Sequence, residues 1–235
     1  MYHHVNSDRC SNDLEMLDKH LEYISQNFTS VFPTFDKLPK NPICLVFDDG
    51  YYDFYKFIYP LLQKYNLKAL LGVVPSVTLD KCDFDDKTRL NIEHNHLFKN
   101  YKKGTFCTYE ELATMRDSGL VEIASHSYSH TNLVENDVDL EKELKSSKEI
   151  LEKKLNIKVE SFVFPFGKYD KKVLDETKKH YNYAFRIGNG INKDFHGIGG
   201  TIYRIDGDFL TSPSDIFSFK SMLKFRFKSF IKSIT

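Results

Sequence analysis

The chain has 235 residues, 41% apolar and 28% charged, which fits one α/β domain with a substantial core and excludes a disordered or fibrous chain. Lysine plus arginine and aspartate plus glutamate both number 33, so no global basic excess draws the chain to nucleic acid. No apolar run is long enough to span a bilayer, and Cys10, Cys44, Cys82 and Cys107 lack the CxxC spacing of a zinc knuckle or redox pair and read as isolated reduced thiols. The opening MYHHVNSDRC has no signal-peptide hydrophobic stretch, so with Met1 as the native start a cytoplasmic location is expected.

Short β-like runs alternate with helical patterns, the signature of βα units around a parallel sheet. In chain order, a short strand at 2–5 precedes a strong one at 43–47. Phe54, Phe57, Ile58, Leu61, Leu62 and Tyr65 then keep helical spacing. A strand at 69–74 leads into a polar, aperiodic stretch over 79–106, read as a loop excursion in which His94 and His96 are solvated. Thr108 and Glu111 form a capping box that opens a helix ending near Gly119. A strand at 121–125 is followed by a long amphipathic helix marked by Leu140, Leu144, Ile150, Leu151 and Leu155. Strands at 162–164, 183–186 and 202–205 follow, with a helix carrying Val173, Leu174 and Thr177 after the first of them. The expected division is one domain over 1–212 and a separate helix over 213–235.

Three clusters fall directly after strands, where barrel enzymes place catalytic groups. Asp48 and Asp49 in FDDG follow the apolar run ICLVF; as a pair they need ions or hydrogen bonds, although Asp-Asp-Gly also makes an ordinary turn. His126 and His130 in HSYSH follow VEIAS. Four residues apart, they can share a helix face and reach one cation, which a carboxylate would complete. The third cluster, FPFG at 164–167, is a turn able to aim backbone N–H groups into a cleft.

In this order and separation the three clusters resemble the polysaccharide deacetylase (NodB-homology) family, and the similarity runs from Ile43 to about Asp206. The resemblance implies a distorted (β/α) barrel of about seven parallel strands and a hydrolase that removes an N-acetyl group from an amino sugar. It implies Asp48 as general base and Asp49, His126 and His130 as ligands of one divalent metal ion, zinc first with cobalt or nickel possible. It also points to the Phe166 backbone N–H as oxyanion donor. The third cluster lacks the arginine that many members use to position the base, and no late catalytic histidine is apparent, since His196 in DFHGIGG does not match one. Some relatives, including poly-N-acetylglucosamine deacetylases, carry that histidine on an N-terminal Tyr-His strand. By that match His3 is the general acid, and His4 points the other way.

The expected partner is a carbohydrate bearing an N-acyl amino sugar, in a glycan, a lipid-linked saccharide or a nucleotide sugar. A deformylase on a lipid-linked amino sugar, a silent carbohydrate-binding relative and a non-haem iron oxygenase are the competing readings. After the capping signals of Ser212, Pro213 and Asp215, the residues Ile216, Phe219, Leu223, Phe227, Phe230 and Ile234 share a narrow apolar arc. Lys220, Lys224, Lys228 and Lys232 repeat beside it, joined by Arg226. Two readings stay open: a final helix packed on the barrel, or a helix lying on an anionic membrane at its inner face.

Overall fold

The computed structural model describes every residue except Asp36 and Thr235. Six parallel strands form one sheet: β1 (Leu45–Phe47), β2 (Ala69–Val73), β3 (Val121–Ser125), β4 (Ser161–Val163), β5 (Tyr183–Ile187) and β6 (Ile202–Arg204). Their spatial order follows their sequence order, with Leu45 opposite Ala69, Ala69 opposite Val121 and Ile202 opposite Phe185. Connections of one hand then gather the helices on one face and curl the sheet around the other into a half-barrel.

Alternation along each strand sorts the side chains. Leu45, Phe47, Leu71, Ile123 and Phe162 face the helical layer and join the main core. Val46, Leu70, Ala124, Val163 and Ile202 face inward and form a smaller cluster. The outer layer comprises α1 (Leu14–Asn27), α2 (Tyr59–Tyr65), α4 (Tyr109–Asp117), α5 (Ser147–Leu155) and α6 (Lys171–His180), with α3 (Asp86–Leu90) in the excursion and α7 (Phe219–Ile234) last. The capping box forms at α4: Thr108 Oγ1 accepts from Glu111 N at 3.3 Å and Glu111 Oε2 accepts from Thr108 N at 2.8 Å. Pro60 cannot donate to the carbonyl four residues back, and the turn before it, Phe54–Ile58, widens to π.

The sheet departs from the expected seven strands. Tyr2 bridges Phe47 as a single residue, with Tyr2 N donating to Val46 O and Asp48 N to Tyr2 O, each at 2.9 Å. On its other side Gly207 N donates to Met1 O at 2.9 Å, so the first residues lie between the β1 edge and the segment after β6. His4–Val5 then leaves the barrel to pair with Ser11–Asn12. Two left-handed residues, Asn6 and Cys10, double the chain back, and Asp53 Oδ2 captures Val5 N at 3.0 Å.

The excursion also departs from a plain loop. It contains α3 and two 3-10 turns, His94–His96 and Phe98–Lys103. Its order comes from one buried arginine, a feature that apolar periodicity cannot reveal. Arg89 donates to both Glu111 carboxylate oxygens at 2.6 and 2.9 Å, to Gly104 O at 2.7 Å and to Phe106 O at 3.1 Å. Its guanidinium lies 3.3 Å from the Tyr52 ring centroid.

Candidate active site

The curl of the sheet brings the three strand-end clusters together. Asp49 follows β1 in a left-handed conformation (φ 70°), and Gly50 N closes the turn onto Asp48 O at 2.9 Å. Asp49 Oδ1 lies 3.4 Å from His126 Nε2 and 3.2 Å from His130 Nε2. The oxygen is buried, and no protein donor satisfies it among the described residues. A buried anionic oxygen facing two imidazole nitrogens is the donor set of a divalent cation of borderline softness, and these residues fit one. Burial pushes the Asp49 carboxyl up, but His130 and His126 outweigh it and hold the group well below the usual carboxylate range. Burial brings the His130 imidazole down to about 4, so it is a neutral donor at neutral pH.

The two histidines do not share a helix face as their spacing suggested. The HSYSH segment is a loop, with Ser127 (φ 61°) and His130 (φ 57°) both left-handed. Ser127 Oγ accepts from His130 N at 3.0 Å, and Glu143 takes Ser129 N at 2.9 Å and Ser129 Oγ at 2.7 Å. Those side-chain bonds replace the helical ladder. His126 Nδ1 lies 2.7 Å from Val163 O; a carbonyl can only accept, so Nδ1 carries the proton and Nε2 presents its lone pair to Asp49. Left-handed geometry costs a residue with a β-carbon about 1–2 kcal/mol. Four such residues, Asp49, Ser127, His130 and Phe166, meet at this one place.

Asp48 has different neighbours. Arg204 Nη1 donates to its Oδ1, and His3 Nε2 lies 3.8 Å from its Oδ2. Burial raises the Asp48 carboxyl; Arg204, His126 and His3 overcome this and leave it lowered. His3 is clamped by Asp208, with Oδ2 2.6 Å from Nδ1 and Oδ1 accepting from His3 N at 3.1 Å. Burial lowers the His3 imidazole, but the Asp208 bond and the charges of Asp48 and Asp49 prevail and raise it to about 9. At neutral pH His3 is therefore a cation with its Nε2 proton beside Asp48.

The third cluster forms a 3-10 turn, Pro165–Gly167, in which Phe166 is left-handed (φ 57°). Gly167 N and Lys168 N donate to Phe164 O and Pro165 O at 2.9 and 3.2 Å. The Phe166 ring stays 55% exposed with its centroid 4.7 Å from that of His130, and Phe98 of the excursion covers the same imidazole at 5.1 Å.

The structure thus gathers Asp48, Asp49, His126, His130, His3 and Phe166. It diverts His4, whose Nδ1 lies 2.8 Å from Asp53 Oδ2 and whose Nε2 lies 3.1 Å from His94 Nδ1. His94 is half-buried there, contrary to the solvated position expected for it, because α3 and the 3-10 turns fold it onto His4; His96 is exposed. Two contributors are absent from the residue patterns above. Arg204 sits in the apolar run TIYRI, and a charge in a buried strand is itself a signal that a partner exists. Asp208 follows in a polar loop and carried no such signal.

The chain matches the polysaccharide deacetylase family model over residues 35–184. YxkH of Bacillus subtilis (strain 168), a protein named for the same family, is 26% identical over 195 residues, 76% of this chain and 60% of that protein. The poly-beta-1,6-N-acetyl-D-glucosamine N-deacetylase of Escherichia coli (strain K12) is 24% identical over 183 residues, 66% of this chain and 26% of that protein. The chain therefore spans less than two thirds of the length of either relative. Among solved structures, the Streptococcus pyogenes deacetylase PplD, determined with acetate, superposes with a TM-score of 0.75, at 22% identity, over 96% of this chain and 95% of that one. With the family model covering well over half of its residues, this chain belongs to the polysaccharide deacetylase family.

Proposed function

We propose that this chain is a metal-dependent hydrolase that removes the N-acetyl group from an amino sugar in a glycan, a lipid-linked saccharide or a nucleotide sugar. The observation that carries the reading is the division of labour between adjacent carboxylates. Asp49 faces two imidazoles through a buried, unsatisfied oxygen, while Asp48 faces Arg204 and a protonated His3. A divalent cation held by Asp49, His126 and His130, zinc in the first instance, would polarise the acyl carbonyl and lower the pKa of an attacking water.

Asp48 accepts the proton of that water as it attacks. Arg204 fixes the carboxylate and keeps it ionised. His3 protonates the departing amine nitrogen from Nε2, and Asp208 on Nδ1 orients the ring and stabilises its charge. The Phe166 backbone N–H, in its left-handed turn, is assigned to the developing oxyanion. The exposed Phe166 ring offers an apolar face against which a sugar can rest.

The E. coli relative makes β-1,6-linked N-acetylglucosamine oligomers the first substrate to try, beside β-1,4-linked oligomers and a nucleotide-linked N-acetyl sugar. Zinc-loaded protein should release acetate and free amine in equal amounts from at least one of them. Formate from an N-formyl sugar, with no acetate from any N-acetyl sugar, would instead identify a deformylase. Oligosaccharide binding without release of either acid would identify a carbohydrate-binding relative.

A further inference from the structure

The last helix, α7, faces the wrong way for its apolar arc to be core. Phe219, Leu223, Phe227, Phe230 and Ile234 fall within about 80° of one another at the ~100° per residue of an α-helix. All five are between 59% and 86% exposed. The helix is held from the opposite side. Phe225 is its buried residue, Ser229 Oγ accepts from Ile191 N at 2.6 Å, and the Lys232 ammonium lies 5.0 Å from the Tyr203 ring centroid. Packing against the body of the protein thus consumes the Phe225 face and leaves the phenylalanine face in water. Most of the large exposed apolar side chains among the described residues lie on this one helix. That placement removes the reading in which the arc packs on the barrel.

We infer that α7 docks on a phospholipid bilayer bearing anionic headgroups, with the phenylalanines inserted at the headgroup–acyl boundary. The charge pattern selects this occupant. Residues 216–235 contain Lys220, Lys224, Arg226, Lys228 and Lys232 and no acidic residue. By helical geometry Lys220 and Lys224 flank one border of the apolar arc and Arg226 the other, while Lys228 lies further round towards the Phe225 side. Flanking cations meet phosphate while the arc enters hydrocarbon. A second copy of the chain would bring two such basic borders together around a narrow seam, and like charges oppose that arrangement. No helix among the described residues is long and apolar enough to cross a membrane, so the contact is interfacial. This inference rests on α7 alone and does not depend on the hydrolytic reading.

The test is flotation of the full chain with vesicles of phosphatidylcholine alone and of phosphatidylcholine containing a third phosphatidylglycerol. Binding is expected to the anionic vesicles and to fall steeply with added salt. Lys220→Ala with Lys224→Ala should lower the partition coefficient about 30-fold, at roughly fivefold per basic residue. Phe227→Ser with Phe230→Ser should lower it on the order of 100-fold. Both pairs lie on the exposed side, so unchanged circular dichroism and melting are expected and separate lost docking from lost folding. Failure to float with anionic vesicles at low salt would overturn the inference. Equal binding to neutral vesicles would overturn the role of the lysines, and with it the anionic partner. Concentration-dependent dimerisation abolished by the phenylalanine substitutions, without vesicle binding, would assign the face to a second copy.

Discussion

Asp48 and Asp49 are neighbours in sequence with opposite surroundings, and substitution should separate them. Asp49 shares its charge with His126 and His130, so His126→Ala should lose bound metal and activity together. Asp48→Asn removes a carboxylate paired with Arg204 and His3, so it should retain metal while turnover falls roughly 10²–10⁴-fold. Metal content by atomic emission, beside acetate release, checks both; full metal occupancy in His126→Ala would refute the ligand set. His3 supplies a pH prediction. Its imidazole is raised to about 9 and must be protonated to act as an acid, so activity should fall as pH rises through that value. Asp208 provides the strongest of the raising interactions. Asp208→Asn should therefore lower the His3 pKa and move the alkaline limb of kcat to lower pH, with less effect on the rate at the plateau. An unmoved limb would show that another group sets it.

Elements position this chemistry through a few polar anchors. The excursion supports the site by placing Phe98 against His130 and His94 against His4, and Arg89 holds that excursion to α4 through Glu111. The Arg89 side chain is 4% exposed and that of Glu111 14%. Arg89→Met leaves a mostly buried carboxylate without its cation and should destabilise the fold by about 3–5 kcal/mol. Adding Glu111→Gln should restore part of the loss, because it removes the stranded charge. Urea denaturation of the single and double variants measures this, and equal losses in the two would mean that the ion pair is not the anchor.

At the scale of the whole molecule, His20 ties the first residues and the last segment to α1. Its Nδ1 lies 2.5 Å from Pro213 O and must donate to it, so Nε2 accepts from the Tyr2 hydroxyl at 2.8 Å. Burial lowers this imidazole to about 4, against about 6.5 in an unfolded chain. The unfolded chain takes up the proton first. The contribution of a neutral His20 is thus present above pH ~6.5 and lost as pH falls towards 4, up to about 3 kcal/mol. Denaturation midpoints at pH 7.5 and 4.5 should diverge more for the native chain than for His20→Gln; parallel losses would reject His20 as the cause. The same scale separates what is local from what is not. Strand and helix alternation, the capping box at Thr108 and Glu111, and the FDDG, HSYSH and FPFG clusters at strand ends are written in short windows, because each depends on side-chain period or turn chemistry among near neighbours. The loop form of HSYSH is less accessible, since it depends on Glu143 arriving from the next helical turn. The pairing of Asp48 with Arg204, 156 residues apart, and of His3 with Asp208, 205 apart, belongs to the tertiary structure alone. Those residues sit on or beside the two edges of the sheet, and only its curl brings the edges within hydrogen-bonding distance. Tertiary structure likewise decides which face of α7 meets the protein: the sequence defines an apolar arc, but Phe225 lies outside it and takes the buried position.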